Sequence, residues 1–393
     1  MSNPTLNRRT FVMAALSGAA MARGAETGKK LRYGVVGSGN RSRGNHLPIL
    51  RDYVPEVEIA AICDITPESL AQGLTLCPGA KGYSDYREML AQETNLDAVL
   101  VVVPSYVHAE ITIAALNAGK HVLVEKPMAL SLADADRMTE AASRNKRVLQ
   151  VGQQMRYSQA YAKMRELIQQ GEIGDLSYVF GSLFRGDWNP ASWKYTDPAT
   201  GKKINWRFLT KTAGSSLLED GIHELDVIHW LVDSDPVRIQ ATGGNKVLLN
   251  RETIDHAGLL VEFQNGSQLT FGYTVFSRGL PEARVMRLIG SKAEMQLEGT
   301  RDAQVIVIHP FQGQPTRIPV RIEKPEPVAG AARPRTPDVD TYREHKAFAH
   351  SIMEGTPVFA SAQVGKDAIH ISLAAERSLR KNRIFEWQNE AEI

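Results

Sequence analysis

Cysteine is scarce, with only Cys63 and Cys77 among 393 residues. Two thiols allow one bridge at most, and they build no zinc site without a cluster of histidines or carboxylates around them. Both are expected to be quiet thiols, and no metal is expected. No charge of one sign dominates either: 46 Lys and Arg stand against 44 Asp and Glu, with no long basic block. That removes the electrostatic footprint of a nucleic-acid binder and points to a small-molecule partner. Long apolar runs are also missing. The longest, Phe11 to Met21, is interrupted by Ser17 and Gly18, and it falls well short of the roughly 20 residues needed to span a bilayer, so no stable membrane insertion is expected.

What is present is ordinary globular material. Hydrophobic residues make up 43% and charged residues 23% of the chain, which sets aside disordered, collagenous and disulfide-scaffold classes. At roughly 150 residues per domain, the length suits about two domains. The apolar run at the N-terminus follows Asn7-Arg8-Arg9-Thr10-Phe11-Val12-Met13 and precedes Ala20-Met21-Ala22. A paired arginine, a modest apolar stretch and a small-x-small site read as a twin-arginine export signal. Residues 1–26 are therefore expected to be signal and linker, and the mature protein to be periplasmic or secreted. That route carries proteins folded before export, often around a cofactor.

From Leu31 to Gly152, short β-branched runs alternate with helical segments, the pattern of a parallel sheet covered on both faces. The runs are Leu31 to Val36, Val57 to Cys63, Ala98 to Val103, His121 to Val124 and Val148 to Val151. Helices are expected at Ala109 to Ala118 and at Leu132 to Arg144, the latter opened by Ser131-x-x-Asp134. After a helix at Ser158 to Gln170, the period changes to two, in runs from Ser177 to Leu183 through Gln304 to Ile308, with a hairpin signal at Asn265-Gly266. Lys324 to Pro337 is rich in proline and reads as a connector to closing helices at Val339 to Glu354 and Ala362 to Leu379. The expected fold is α/β plus α+β: a doubly wound Rossmann domain over 27–152, then an open antiparallel sheet with helices on one face over 153–393. An open sheet face of this kind favours self-association, so a homo-oligomer is expected.

The first strand runs straight into Gly37-Ser38-Gly39-Asn40-Arg41-Ser42. A glycine-rich turn between strand and helix offers backbone amides and a helix N-terminus to a pyrophosphate. Ser42 replaces the third glycine of the usual fingerprint. Asp64 stands at the end of the second strand, where a carboxylate accepts both ribose hydroxyls. As a cap for the helix beginning near Pro67 it would be two residues out of place. Its charge repels a 2'-phosphate, and Ile65-Thr66-Pro67 supplies no Arg or Lys to offset that, so NAD is favoured over NADP.

Wound at about 100° per residue, Ser216 to Val232 places Glu219, His223, Asp226 and Trp230 on one stripe beside an apolar arc of Leu218, Ile222 and Leu225, with Asp220 and Glu224 on the outer side. At a cleft rim, such a carboxylate-histidine-carboxylate stripe suits general-base work; charge patterning also produces it on solvated faces. His229, within the arc, reads as a core histidine. Arg185 to Gly214 shows no period and carries Trp188, Trp193, Tyr195, Trp206 and Phe208 among Arg185, Asp187, Asn189, Lys194, Asn205 and Arg207. Loops of this length are usually functional or disordered. Aromatic faces beside hydrogen-bonding groups suit a carbohydrate, although aromatic anchors pinning the loop would account for about half of them. Trp188 and Arg156 are the contacts expected, with Tyr157 and Asp226 beside them.

Val103-Pro104-Ser105-Tyr106-Val107-His108, followed by Ala118-Gly119-Lys120 and by Glu125-Lys126-Pro127, resembles the Gfo/Idh/MocA oxidoreductases, relatives of glucose-fructose oxidoreductase and inositol dehydrogenase. The likeness continues through Gly152-Gln153-Gln154-Met155-Arg156-Tyr157 and the helix around His223. The resemblance implies that Pro104, His108, Glu125, Lys126 and Gln154 line the cofactor, that Lys126 polarises the reacting hydroxyl, and that His223 accepts its proton with Glu219 orienting it. It also implies dimers or tetramers. The reaction implied is NAD-dependent oxidation of a secondary hydroxyl of a sugar, polyol or glycoside, with the cofactor retained because the periplasm offers no obvious NAD pool. A redox-neutral glycosidase or lyase working through transient oxidation is the alternative, and a non-catalytic sugar or nucleotide sensor is less favoured.

Overall fold

The computed structural model describes residues 30–188, 194–196, 201–277, 283–331 and 336–388. The paired arginines, Asn189 and Trp193 lie outside them, as do the side chains of Lys194 and Tyr195.

The first sheet is parallel and six-stranded: β1 (Leu31–Val36), β2 (Val57–Cys63), β3 (Lys81–Tyr83), β4 (Ala98–Val101), β5 (His121–Val124) and β6 (Leu149–Val151). Their order is β3-β2-β1-β4-β5-β6, so the winding reverses between β1 and β4, where a crevice opens at the strands' C-terminal ends. The unbroken Ala-Val-Leu-Val of β4 and the apolar ends of β1 (Val35-Val36) and β2 (Ala60 to Cys63) follow from burial on both faces. The helices around the sheet are α1 (Leu47–Tyr53), α2 (Pro67–Leu76), α3 (Tyr86–Gln92), α4 (His108–Asn117) and α5 (Leu132–Asn145). The Ser131 hydroxyl caps α5, accepting the Asp134 amide at 3.1 Å.

The second sheet has nine strands: β7 (Leu176–Phe184), β10 (Pro236–Gly244), β11 (His256–Phe263), β12 (Gln268–Thr274), β13 (Ala283–Gly290), β14 (Ala293–Thr300), β15 (Ala303–Pro310), β16 (Thr316–Val320) and β17 (Phe385–Glu386). All its pairs are antiparallel except β7 with β12. A separate two-stranded hairpin joins β8 (Lys194–Thr196) to β9 (Lys203–Asn205). Four further helices are α6 (Gln159–Gln169), α7 (Thr210–Ala213), α8 (Ile222–Val232) and α9 (Val339–Glu354), and the last is α10 (Ala362–Lys381). Met164 and Leu167 of α6, Leu225 and Ile228 of α8, and Ile371 and Ala374 of α10 share one core with Val179, Leu259, Phe271 and Leu288 of the sheet. The other face is open and exposes Phe180, Phe184, Leu260 and Val285.

The strand β3, with three residues, and the edge strands β16 and β17, with five and two, are too short to give a periodic signal. The return of the chain was equally silent. The connector after β16 crosses back, its Val328 amide donating to the Asp52 carbonyl at 2.7 Å. Helix α9 then packs on the first sheet, with Phe348 edge-on to Tyr33 at 5.8 Å between ring centroids.

Arg156, in the turn after β6, and Asp226 of α8 are both buried and form a two-pronged ion pair, 2.8 Å at each contact. This pair ties the end of the first sheet to the second domain. Removing one partner leaves the other charge buried and alone, so Arg156→Met is expected to destabilise the fold by about 3–5 kcal/mol. Urea melts of the variant, compared with substrate KM measured well below the midpoint, separate this structural role from substrate contact.

Candidate active site

The glycine turn is a cradle. Gly37 sits at φ +98°, and a Cβ there would lie 2.1 Å from the Val102 carbonyl oxygen, whereas the space beside Gly39 is open. Only glycine lets the backbone make this turn while leaving room for a ligand. Ser38 donates its amide to Asp64 Oδ2 at 2.7 Å, and Asp64 Oδ1 accepts the Thr66 amide at 2.8 Å. Asp64 thus closes a turn into α2, whose cap is Thr66, and stands beside the glycine turn, where a ribose would meet it. Ser42 is fully buried and opens a turn of π-helix, Ser42–His46, ahead of α1. Arg43 donates to the Ser38 carbonyl and, at 3.2 Å, to Asn40 Oδ1. Turn, helix start and acidic strand end together fit a dinucleotide with a free 2'-hydroxyl.

Glu125 and Lys126 leave the end of β5. Burial alone would raise the Glu125 pKa, but the Arg41 guanidinium at 2.6 Å and the His46 ring at 3.0 Å hold it well below the usual carboxylate range. Arg41 also donates to Gln154. Glu125 therefore stands behind Arg41 rather than at the open surface. His108 is likewise 1% exposed. Its Nδ1 meets the Pro127 carbonyl at 2.7 Å and its Nε2 the Val103 carbonyl at 2.9 Å. It braces the Lys126-Pro127 turn against the segment led by Pro104, which caps a 3-10 turn over Ser105–Val107, and it does not line the crevice. The Lys126 ammonium donates to the Glu219 carbonyl oxygen. Burial lowers its pKa, Glu219 works against that, and Arg207 pushes it further down.

The catalytic helix departs from the stripe read in the sequence. Leu217–Gly221 is a π-helical turn leading into α8. Its i→i+5 bonding widens the turn and shifts Glu219 relative to His223. Glu219, 1% exposed, accepts the Ser105 hydroxyl at 2.5 Å on Oε1 and Arg207 Nε at 3.3 Å on Oε2. It does not orient His223, whose buried Nδ1 has no hydrogen-bond partner. Burial lowers the His223 pKa well below the ordinary value, and the Lys126 and Arg284 cations add to the effect. The buried ring is therefore held in its neutral form. Asp220 and Glu224, expected on the outer side, are buried, paired with Arg185 at 2.9 Å and with Arg284.

All four expected substrate contacts are engaged within the protein. Arg156 and Asp226 are spent on each other. Tyr157 is buried, its hydroxyl accepts the Ala360 amide at 3.3 Å, and its ring meets Phe359 edge-on. Trp188, only 3% exposed, offers no open face to a sugar. It is wedged between the Arg185 and Arg207 guanidiniums, 5.6 and 5.3 Å from its ring centroid. Asp187 beside it is held by Arg251 through contacts of 2.7 and 2.8 Å. Among the described residues of the loop, Asp187 and Trp188 are thus held by ionic and aromatic contacts, and Ser105, Arg207 and Arg284 lie against Glu219 and Glu224. No spacing rule points to these three, because each meets its acidic partner across a different element.

Cys63 and Cys77 are free and buried, and burial pushes their thiols up to about 12 and about 11.

Comparison with known proteins agrees with this geometry. Residues 31–153 match the family described as "Oxidoreductase family, NAD-binding Rossmann fold", and 161–296 match the GFO/IDH/MocA C-terminal domain. Inositol 2-dehydrogenase of Salmonella typhimurium is 33% identical over 207 residues, 52% of this chain and 55% of that protein, so the chain spans about half the length of such relatives. Myo-inositol 2-dehydrogenase of Thermotoga maritima is 25% identical over 90% of this chain and 97% of its own. A levoglucosan dehydrogenase solved in complex with NADH shares the fold, with a TM-score of 0.75 at 22% identity over 91% of this chain and 99% of that one. The protein belongs to the Gfo/Idh/MocA oxidoreductase family.

Proposed function

We propose that the protein is an exported NAD-dependent oxidoreductase that acts on a secondary hydroxyl of a sugar, polyol or glycoside and retains its cofactor. The observation that carries this reading is the convergence of two groups from different domains. Lys126 from the end of β5 reaches the turn that bears Glu219, close enough for its charge to act on the His223 ring. The names of the curated relatives, inositol 2-dehydrogenases, support a polyol or sugar. The paired arginines ahead of an apolar run support export.

When bound, NAD supplies the hydride acceptor. Gly37, Gly39 and the amides that follow would hold its pyrophosphate, and Asp64 a ribose. His223 takes the hydroxyl proton, Lys126 steadies the negative charge that grows on the same oxygen, and loss of hydride from the carbon leaves a carbonyl. Glu219 positions Lys126 through its backbone oxygen and its charge.

His223→Ala is expected to lower kcat by about 10²–10⁴-fold while NAD affinity, followed by tryptophan fluorescence, stays unchanged; full turnover in the variant would remove His223 from the reaction. The two displaced ionisations also fix the shape of the pH profile. A neutral His223 is needed and its pKa is lowered, so the acid limb of kcat/KM falls below the ordinary histidine range. A charged Lys126 is needed and its pKa is lowered too, so the alkaline limb falls below the ordinary lysine range. Retention is tested by purifying the exported form without added nucleotide, denaturing it and quantifying what it releases. Near-stoichiometric NAD is expected, and an empty protein would overturn retention.

A further inference from the structure

The Arg41 side chain crosses the crevice. It leaves the turn after β1, passes the end of β4 and reaches Glu125 after β5 and Gln154 after β6. A dinucleotide lies across these same strand ends. Both partners of Arg41 are in turn held from behind by helix α9. Along one path, Glu125 Oε1 meets His46 Nε2 at 3.0 Å, and His46 Nδ1 meets His345 Nε2 at 2.9 Å. Along the other, Gln154 Oε1 accepts the Thr341 hydroxyl at 3.3 Å, and Thr341 Oγ1 in turn accepts Asn45 Nδ2 at 3.3 Å. Thr341 and His345 are four apart on α9, hence on one face, and both are fully buried.

The chain of rings has only one arrangement of protons. Glu125 is ionised, so His46 Nε2 must carry a hydrogen toward it. Burial keeps both rings neutral, so His46 Nδ1 is an acceptor and His345 Nε2 donates to it. Every donor points toward Glu125, and the carboxylate is fixed in place for Arg41.

We propose that Arg41 is a strap across the dinucleotide crevice and that α9, through His345 and Thr341, holds the strap closed and so sets how slowly the cofactor leaves. The proposal rests on the reading of the crevice as an NAD site. His345 and Thr341 are positioning residues that touch neither cofactor nor substrate.

The test is stopped-flow release of NADH from the full-length loaded protein, with thermal melting measured alongside. His345→Phe leaves His46 Nδ1 without its donor and is expected to speed release by about tenfold. His345→Gln, whose amide nitrogen replaces Nε2, is expected to restore slow release at either melting temperature. Arg41→Ala is expected to release quickly by itself, and the double variant Arg41→Ala/His345→Phe no faster than Arg41→Ala. Release at the wild-type rate from folded His345→Phe, or multiplicative rates in the double variant, would overturn the strap. If His345→Phe does not fold, Thr341→Val loosens the second path and carries the same expectations. Fast release from the wild-type protein, accelerated further by these changes, would overturn retention and leave the strap standing.

Discussion

The buried carboxylate of Glu219 joins the two halves of this protein. It lies on the second domain, yet it accepts the Ser105 hydroxyl from the first, and its own backbone oxygen accepts the Lys126 ammonium. A carboxylate at 1% exposure is tolerated only when charge and hydrogen bonds surround it. Arg207, Ser105 and Lys126 meet that requirement from three separate segments. Satisfying one buried charge therefore holds Ser105, and Lys126 after β5, against the turn that opens α8. In the proposed reaction, the lysine and the histidine are brought together by the groups that solvate Glu219.

The same rule governs the rest of the cleft. Arg185 is matched by Asp220, Arg284 by Glu224, and Arg41 by Glu125. Pairing does not silence these cations, since Arg284 and Arg41 still act with Lys126 to lower the His223 pKa. What remains is specific: Lys126 faces a backbone oxygen rather than a carboxylate of its own, and His223 keeps a buried nitrogen without a partner. In the proposed reaction these are the two groups that act on the hydroxyl, and the paired ones hold the cleft around them.

This division explains what the sequence disclosed and what it hid. Features imposed by the backbone were legible. Gly37 has to be glycine because a carbonyl stands where its Cβ would be, Ser131 has to cap α5, and β-branched runs mark the strands of a sheet buried on both faces. Lys126 and His223 were singled out by the resemblance, which decided what spacing alone left open for the histidine. Hidden were the contacts that depend on tertiary pairing. The stripe of Glu219 and His223 assumed 3.6 residues per turn, and the π-turn at Leu217–Gly221 breaks that period. Trp188 and Arg156 looked like ligand groups because aromatic and cationic side chains suit sugars. The structure uses them instead as a wedge and as half of an ion pair. A sequence states which groups are polar, not which of them find one another.

Helix α9 is the furthest consequence of that limit. Its periodicity announced a helix over Val339–Glu354 and its place in the chain suggested the second domain, but its apolar face, with Phe348, belongs to the core under β1. The polar residues on its buried side, Thr341, Glu344 and His345, then cannot be surface groups. Thr341 and His345 meet the polar atoms of the first domain that they cover, those around Glu125 and Arg41, whereas the Glu344 carboxyl finds no hydrogen-bond partner among the described residues and its pKa is raised by burial and by Glu125. A helix docked by hydrophobic burial thereby becomes part of the wall of the nucleotide crevice.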